Sequence, residues 1–202
     1  MDLAQIRIQI EKVRLTINGG SLVKEVYQHF NDWISEVLHI CEGANRVEFE
    51  WPVDPIPIDD CIGKEIITKL KSSISHEEVF YTGLNGREMM KRVRKQRDFF
   101  RTNDTEGVSS NYYLINGRLV LEGDGARLAL LNDRTQGGSS TEEGALELTL
   151  QQRLLYDDKW EVNETLNETE NGHDLIARGK VCLVLNSGSK EAIMGERIRQ
   201  TA

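Results

Sequence analysis

The sequence predicts a mostly β protein, an antiparallel β-sandwich with few or no long helices. Apolar and polar residues alternate with the two-residue period of a half-buried strand in one run after another. Turn chemistry separates these runs at short intervals, with 17 glycines but only 3 prolines, a balance that favours tight β-connections. No segment sustains a helical period beyond three turns, and strands at such spacing argue for layered antiparallel sheets.

The elements follow in chain order. Ile6, Ile8 and Ile10, then Val13, Leu15 and Ile17, alternate with polar residues around a slip at Glu11-Lys12, giving a leading strand over residues 1–20. Asn18-Gly19-Gly20 supplies a turn, because Asn and Gly tolerate positive φ. Leu22 to Phe30 is mixed. Trp33 to Ile40 and Val47 to Trp51 read as strands. Pro52 to Asp60 holds all three prolines and is expected to leave regular pairing. Lys64 to Leu70 is again a strand, and residues 83–110 are the least regular part. There the basic run from Lys91 to Arg97 is read as an ion-pairing edge or solvated loop. Tyr112 to Ile115, Asn116-Gly117 and Arg118 to Glu122 carry a hairpin signature, and Gly123-Asp124-Gly125 turns into Ala126 to Leu131. Gly137-Gly138-Ser139-Ser140 is read as a sharp turn before a strand from Ala145 to Leu154. Residues 157–173 form a polar, acidic loop, Asp174 to Asn186 the last strand, and residues 187–202 an irregular tail. The whole, 1–202, is expected to be a single β-domain.

The 202 residues are 39% hydrophobic with a mean hydropathy of −0.46, enough apolar material for a packed core. A net charge of −8 argues against nucleic-acid phosphate as a partner. No run of 18 apolar residues suggests a membrane span, and the N-terminus lacks the basic and apolar regions of a signal peptide. Cys41, Cys61 and Cys182 have no zinc spacing, leaving three buried thiols or one disulfide and a leftover thiol. Asn103, Asn163 and Asn167 each begin an N-x-Thr glycosylation sequon.

Little in the chain reads as catalytic machinery. His29, His39, His76 and His173 form no i, i+4 pair, and no metal site is expected. His29 is read as a turn histidine. Asp59-Asp60 and Asp157-Asp158 are sequential pairs, and neighbours on a strand point to opposite faces, so neither is by itself an acid–base dyad. Asp59-Asp60 is expected to organise turn amides. Asp157-Asp158 ends a strand before a long loop, where it either caps the turn or reaches a sugar. No nucleophile elbow, phosphate loop or dinucleotide fingerprint is present, so no catalytic residue is assigned.

Ordered blocks across the chain carry a more specific message. Val23 to Trp33, Val47 to Trp51, Pro55 to Asp60, Gly63-Lys64-Glu65, Phe80-Tyr81-Thr82, Asn85 to Glu88, Asn111-Tyr112-Tyr113, Asp133 to Ser140 and Leu166 to Glu170 together resemble the C-terminal β-region of lysosomal-type α-mannosidases, glycoside hydrolase family 38, of an insect-like kind. The resemblance implies a galactose-mutarotase-like supersandwich. It also implies a retaining, zinc-dependent hydrolysis of terminal α-mannose, a lysosomal setting and mannose-containing glycans as partners. In that family the nucleophile and zinc ligands come from sequence N-terminal to this region. The resemblance therefore implies a chain with no cofactor of its own, inactive in isolation and suited to partner a catalytic domain or an intact mannosidase. Alternatively it is a stand-alone carbohydrate-binding sandwich or a non-catalytic partner.

Departures from the family pattern cluster at turns. The loop that approaches the sugar in relatives reads Asp157-Asp158-Lys159-Trp160-Glu161-Val162 here, with Trp160 where many relatives have arginine and Glu161 in place of glycine. Asp54, Gly83-Leu84, Ser110 and Leu114 also differ from the usual residues.

Overall fold

A computed structural model describes residues 13–94, 107–157 and 163–187. The first four strands, β1 (Arg14–Gly19), β2 (Val23–His29), β3 (Ser35–Cys41) and β4 (Arg46–Val53), form an antiparallel meander. Then follow β5 (Lys64–Lys71), β6 (Val79–Gly83), β7 (Met89–Val93), a 3-10 turn at Ser109–Asn111, β8 (Tyr113–Ile115), β9 (Arg118–Gly123) and β10 (Ala126–Asn132). The chain continues through β11 (Gln136–Ser139), β12 (Ala145–Arg153), β13 (Thr169–Glu170), β14 (His173–Asp174) and β15 (Ala177–Ser187). A nine-stranded sheet in the order β1-β2-β3-β4-β15-β10-β9-β6-β7 faces a four-stranded sheet in the order β5-β12-β11-β8, and β13-β14 form a small separate ribbon. All pairings of these strands are antiparallel, as the alternating sequence requires.

The core lies between the two sheets. Phe49, Trp51 and Val53 of β4, Phe80 of β6, Leu119 and Leu121 of β9, and Leu128 and Leu130 of β10 meet Ile115, Leu146 and Leu148 of the smaller sheet. Burying each such side chain stabilises the fold by about 1.5–3 kcal/mol. The alternation is clear on β4, where exposed Glu50 sits between buried Phe49 and Trp51.

The smaller sheet does not reach across the whole of the larger one. Ile17, Val26, Leu38 and Phe49 form one cross-strand row, yet exposure rises from 8% at Phe49 to 68% at Ile17. Among the described residues, none of β1 or β2 belongs to the core cluster.

Several expectations change. Tyr113–Ile115 and Arg118–Gly123 are not a hairpin. β8 pairs with β11 in one sheet, β9 with β10 and β6 in the other, and Asn116-Gly117 carries the chain between layers. Asn116 Nδ2 donates to Leu84 O at 2.5 Å and Asn116 N to Gly83 O at 2.7 Å, so the turn is held by β6 instead of by a paired strand. Gly137, Gly138 and Ser139 lie within β11, and the turn falls later, ending in Gly144 at φ +70°. Gly138 is required by packing: a Cβ there would stand 2.7 Å from Ile115 Cγ1 and 2.8 Å from Leu148 Cδ2. Pro52 remains in β4, opposite Arg178 of β15. It is tolerated because regular pairing of β4 with β3 covers only Val37–Ile40, leaving no ladder bond on that side for its missing N–H. The mixed Leu22–Phe30 segment supplies β2, and the irregular 83–110 region includes β7.

The three cysteines are free thiols, but none is fully buried: Cys41 and Cys182 are half-buried, and Cys61 is exposed in a turn at φ +57°. On β7, Arg92 stacks 4.2 Å from the Tyr113 ring centroid and bonds Thr82, and the following Arg94 meets Glu78 at 3.2 Å. Arg94 thus ion-pairs at this edge, whereas Arg92 is held by an aromatic ring and a hydroxyl. Lys95, Gln96 and Arg97 lie outside the described residues.

Candidate functional site

The C-terminal end of β12 gathers most of the polar groups that sequence reasoning singled out. The register with β5 shifts between Thr149 and Gln151, a β-bulge. Such an extra residue re-aims the side chains beyond it. Here Gln151 comes opposite Ile66, a residue packed against the core. Two residues on, Arg153 becomes the hub. Its Nη1 and Nη2 donate to Asp174 Oδ2 and Oδ1, both at 2.9 Å, Nη1 also donates to Ile56 O at 2.8 Å, and Nε donates to Asn167 Oδ1 at 2.6 Å. A planar guanidinium fits a carboxylate in this two-pronged way. Leu154 N donates to Leu166 O at 2.9 Å, closing the same junction through the backbone.

Arg153 therefore ties together the proline loop, the end of β14 and the segment that returns from the acidic loop. Beside it is a cavity of about 210 Å³ lined by Ile56, Gln151, Gln152, Arg153, Leu166, Glu168 and Leu175.

Asp157 lies four residues beyond the end of β12. Its neighbour Asp158 lies outside the described residues, as do Trp160, Glu161 and the sequon residue Asn103. Asn163 and Asn167 are both exposed. Asn163 adopts φ +56°. Asn167 uses Oδ1 to hold Arg153, so its Nδ2 is the atom a glycan would take.

The block from Asp133 to Ser140 does structural work. Asp133 and Arg134 share two hydrogen bonds of 3.0 Å, Asp133 Oδ2 accepts Lys180 N at 3.0 Å, and Arg134 donates to Arg178 O while lying 5.6 Å from the Trp51 ring centroid. The passage from β10 to β11 is thereby tied to β15 and β4. Burial opposes the charge on Asp133, yet the Arg134 and Lys180 bonds outweigh it and hold the carboxyl below its usual range. Ser139 Oγ donates to Asn111 O at 2.6 Å, and Ser140 Oγ lies 3.3 Å from His76 Nε2. That serine–histidine contact is fully buried at the serine, out of reach of any substrate.

Glu147 was not foreseen. It lies on the outward side of β12, between core residues Leu146 and Leu148, yet its side chain is fully buried. Lys69 Nζ approaches it at 2.8 Å, Thr141 Oγ1 donates at 2.6 Å and Tyr112 OH at 2.9 Å. Desolvation raises its pKa, but these three donors overcome it and the carboxyl is held below its ordinary range. Lys69 also meets Glu142, whose pKa falls to about 2 through hydrogen bonds from Lys69 and Lys71. The local sequence reads only as alternation, so no sequence signal marks this network.

Asp60 acts as expected. Its Oδ1 accepts Ile62 N at 3.1 Å and Lys64 Nζ at 2.7 Å, and the Lys64 bond is the main cause of its lowered pKa. Near His29, Asn31 Oδ1 accepts Trp33 N at 3.0 Å and Ile34 N at 2.7 Å, so this cluster organises a turn. Among the described residues no group of three or more His, Cys, Asp or Glu is placed to hold a metal ion.

Comparison with known proteins adds the following. Residues 3–159 match the family described as "Glycosyl hydrolases family 38 C-terminal domain". The chain is 41% identical over 167 residues to the lysosomal alpha-mannosidase of Bos taurus, covering 83% of this chain and 16% of that protein. It is 40% identical over 152 residues to an alpha-mannosidase of Canavalia ensiformis, covering 75% of this chain and 16% of that one. The crystal structure of an alpha-mannosidase from Enterococcus faecalis V583 superposes with a TM-score of 0.63 at 12% identity, over 92% of this chain and 23% of that one. The chain thus spans about a sixth of the length of these curated relatives.

Proposed function

The chain belongs to the C-terminal domain family of family 38 glycosyl hydrolases, and from that membership we propose that it is the β-scaffold portion of a protein that removes terminal α-mannose from glycans. In this reading residues 1–202 act as one domain, and the chemistry is supplied by sequence outside it. The observation that carries the proposal is the Arg153 junction. It fixes the end of β12 against Asn167 and Asp174, four residues before Asp157. In this reading Asp157 and Asp158 are the residues of this chain that contact the sugar.

Retaining hydrolysis needs two carboxyl groups about 5 Å apart, one as nucleophile and one as acid and base. The buried Glu147 is sealed under Lys69, Tyr112 and Thr141, and Asp174 is engaged by Arg153, so neither supplies such a pair. Zinc in the wider family would polarise and orient sugar hydroxyls. The described residues do not fit it, since no ligand group converges, and no step here runs through a metal. We accordingly place nucleophile and zinc ligands outside this chain. The lysosomal relatives support an acidic lumenal setting, in which Asn163 and Asn167 are exposed glycan acceptors.

The test is turnover of an aryl α-mannoside by the pure chain with added Zn²⁺. No turnover is expected, and activity abolished by chelation would overturn the assignment. A second reading, a carbohydrate-binding module, is favoured by the cavity beside Arg153. Titration with mannose and with a high-mannose glycan decides it: no saturable shift at millimolar sugar ends that reading. A non-catalytic partner of an intact mannosidase would co-purify with that enzyme.

A further inference from the structure

We propose that Asn171 is a self-modification site, where the Gly172 backbone nitrogen displaces the side-chain amide of Asn171 and the aged product loosens the Arg153 junction. The chain holds four Asn-Gly dipeptides, beginning at Asn18, Asn85, Asn116 and Asn171. All four offer the same chemistry, because a following glycine leaves the attacking nitrogen unhindered and its backbone free to turn. The structure separates them.

Three of the four are held. The Asn18 side chain hydrogen-bonds Tyr27. Asn85 Oδ1 accepts Arg87 N at 2.9 Å and Glu88 N at 2.8 Å. Asn116 Nδ2 donates to Leu84 O at 2.5 Å, and its Oδ1 accepts from Thr135 Oγ1. To react, each must first give up these bonds and swing its Cγ towards the next nitrogen. Asn171 is exposed, and none of the described residues holds its carboxamide. It stands with Gly172 at the tip of the β13-β14 ribbon, at φ +51° and +79°, the two-residue reversal that Asn-Gly favours. Only two residue pairs close that ribbon, Thr169 with Asp174 and Glu170 with His173, and all four residues are exposed. So short a hairpin opens readily, which gives the side chain the freedom that attack needs.

The step balances without an oxidant or a reductant. Gly172 N loses its proton and bonds to Asn171 Cγ. The Cγ–Nδ2 bond breaks, and the nitrogen leaves as ammonia carrying that proton. Water then opens the cyclic imide at either carbonyl, giving aspartate or isoaspartate. Isoaspartate routes the main chain through the side-chain carbon and so adds a methylene to a two-residue reversal. The pairing of Thr169 with Asp174 cannot keep its register across the longer turn. Asp174 is the residue whose carboxylate takes Nη1 and Nη2 of Arg153, both at 2.9 Å. Ageing at one exposed tip thereby reaches the end of β12.

Incubation of the whole chain at mildly alkaline pH, followed by peptide mapping with mass spectrometry, ranks the four sites. Asn171 should convert about tenfold faster than Asn85 and Asn116, the factor that breaking one or two hydrogen bonds sets on a rate. In urea all four should convert at similar rates. Hydrogen exchange over 163–174 should accelerate in the aged chain and stay slow in aged Asn171→Gln. Asn171→Asp adds the charge without the methylene and should leave exchange as in fresh protein. Conversion of Asn171 no faster than that of Asn85 and Asn116, or the same ranking in urea, would overturn the site. Unchanged exchange in the aged chain, or acceleration by Asn171→Asp alone, would overturn its link to Arg153.

Discussion

Glu36 is a carboxylate on the core-facing side of β3, in the row that runs Leu15, Gln28, Glu36. Burial pushes its pKa up to about 7. Below the unfolded value near 4.3 the group is protonated in both states and adds no penalty. As pH rises towards 7 the folded state keeps a proton that the unfolded chain has released, so stability falls through that window and then levels. Glu36→Gln should therefore stabilise the chain by about 2–3 kcal/mol at pH 8 and by almost nothing at pH 4. Urea unfolding at both pH values reads this directly, and an equal effect at both would exclude the mechanism. Gly138 sits at the opposite extreme, with no room at all. Gly138→Val should destabilise by about 1–3 kcal/mol or more, because its neighbours are core side chains and Glu147 O at 3.0 Å; the denaturant midpoint measures it. Sequence inspection flagged Gly138 as a glycine with a purpose but assigned a turn. A missing side chain looks the same in sequence whether the reason is φ or a close neighbour.

At the level of elements, β12 is the organising strand. Its period-two pattern made its existence and limits legible, Ala145 to Leu154 against an observed Ala145–Arg153. The bulge between Thr149 and Gln151, which brings Gln151 opposite Ile66, was not legible. Arg153 holds Asp174, Asn167 and Ile56 O at once, so Arg153→Ala should cost about 2 kcal/mol, as loss of charge-assisted bonds does. Hydrogen exchange should also accelerate selectively over 163–174, whereas uniform acceleration would mean the strand itself had been lost. The Asn116-Gly117 misreading has a definite cause. Asn-Gly permits a tight reversal, but whether the next strand returns beside the first depends on which sheet offers a free edge. Here β8 found β11 and β9 found β10.

Over the whole molecule, one sheet overhangs the other. Leu15, Ile17, Ile40 and Leu185 remain 42–68% exposed, apolar surface of the kind that suits a partner face. The isolated chain should bind a hydrophobic dye while fully folded, and Ile17→Lys should reduce the signal; a chain that binds none has its face covered. Chelator is expected to leave the thermal midpoint unchanged, since no described ligand group couples a metal to folding. A fall in midpoint with chelator would reveal a metal held elsewhere in the chain.

By itself the sequence determined the class of structure, most strand positions and the family, because side-chain alternation and turn residues are local and the family blocks are linear words. Only the tertiary structure decided which strands share a sheet, why Glu147 can be buried as a charge, and where Arg153 gathers three segments into one junction. Those outcomes depend on residues far apart in sequence, such as Lys69 with Glu147 and Ile56 with Arg153, whose proximity arises only when the two layers close on each other.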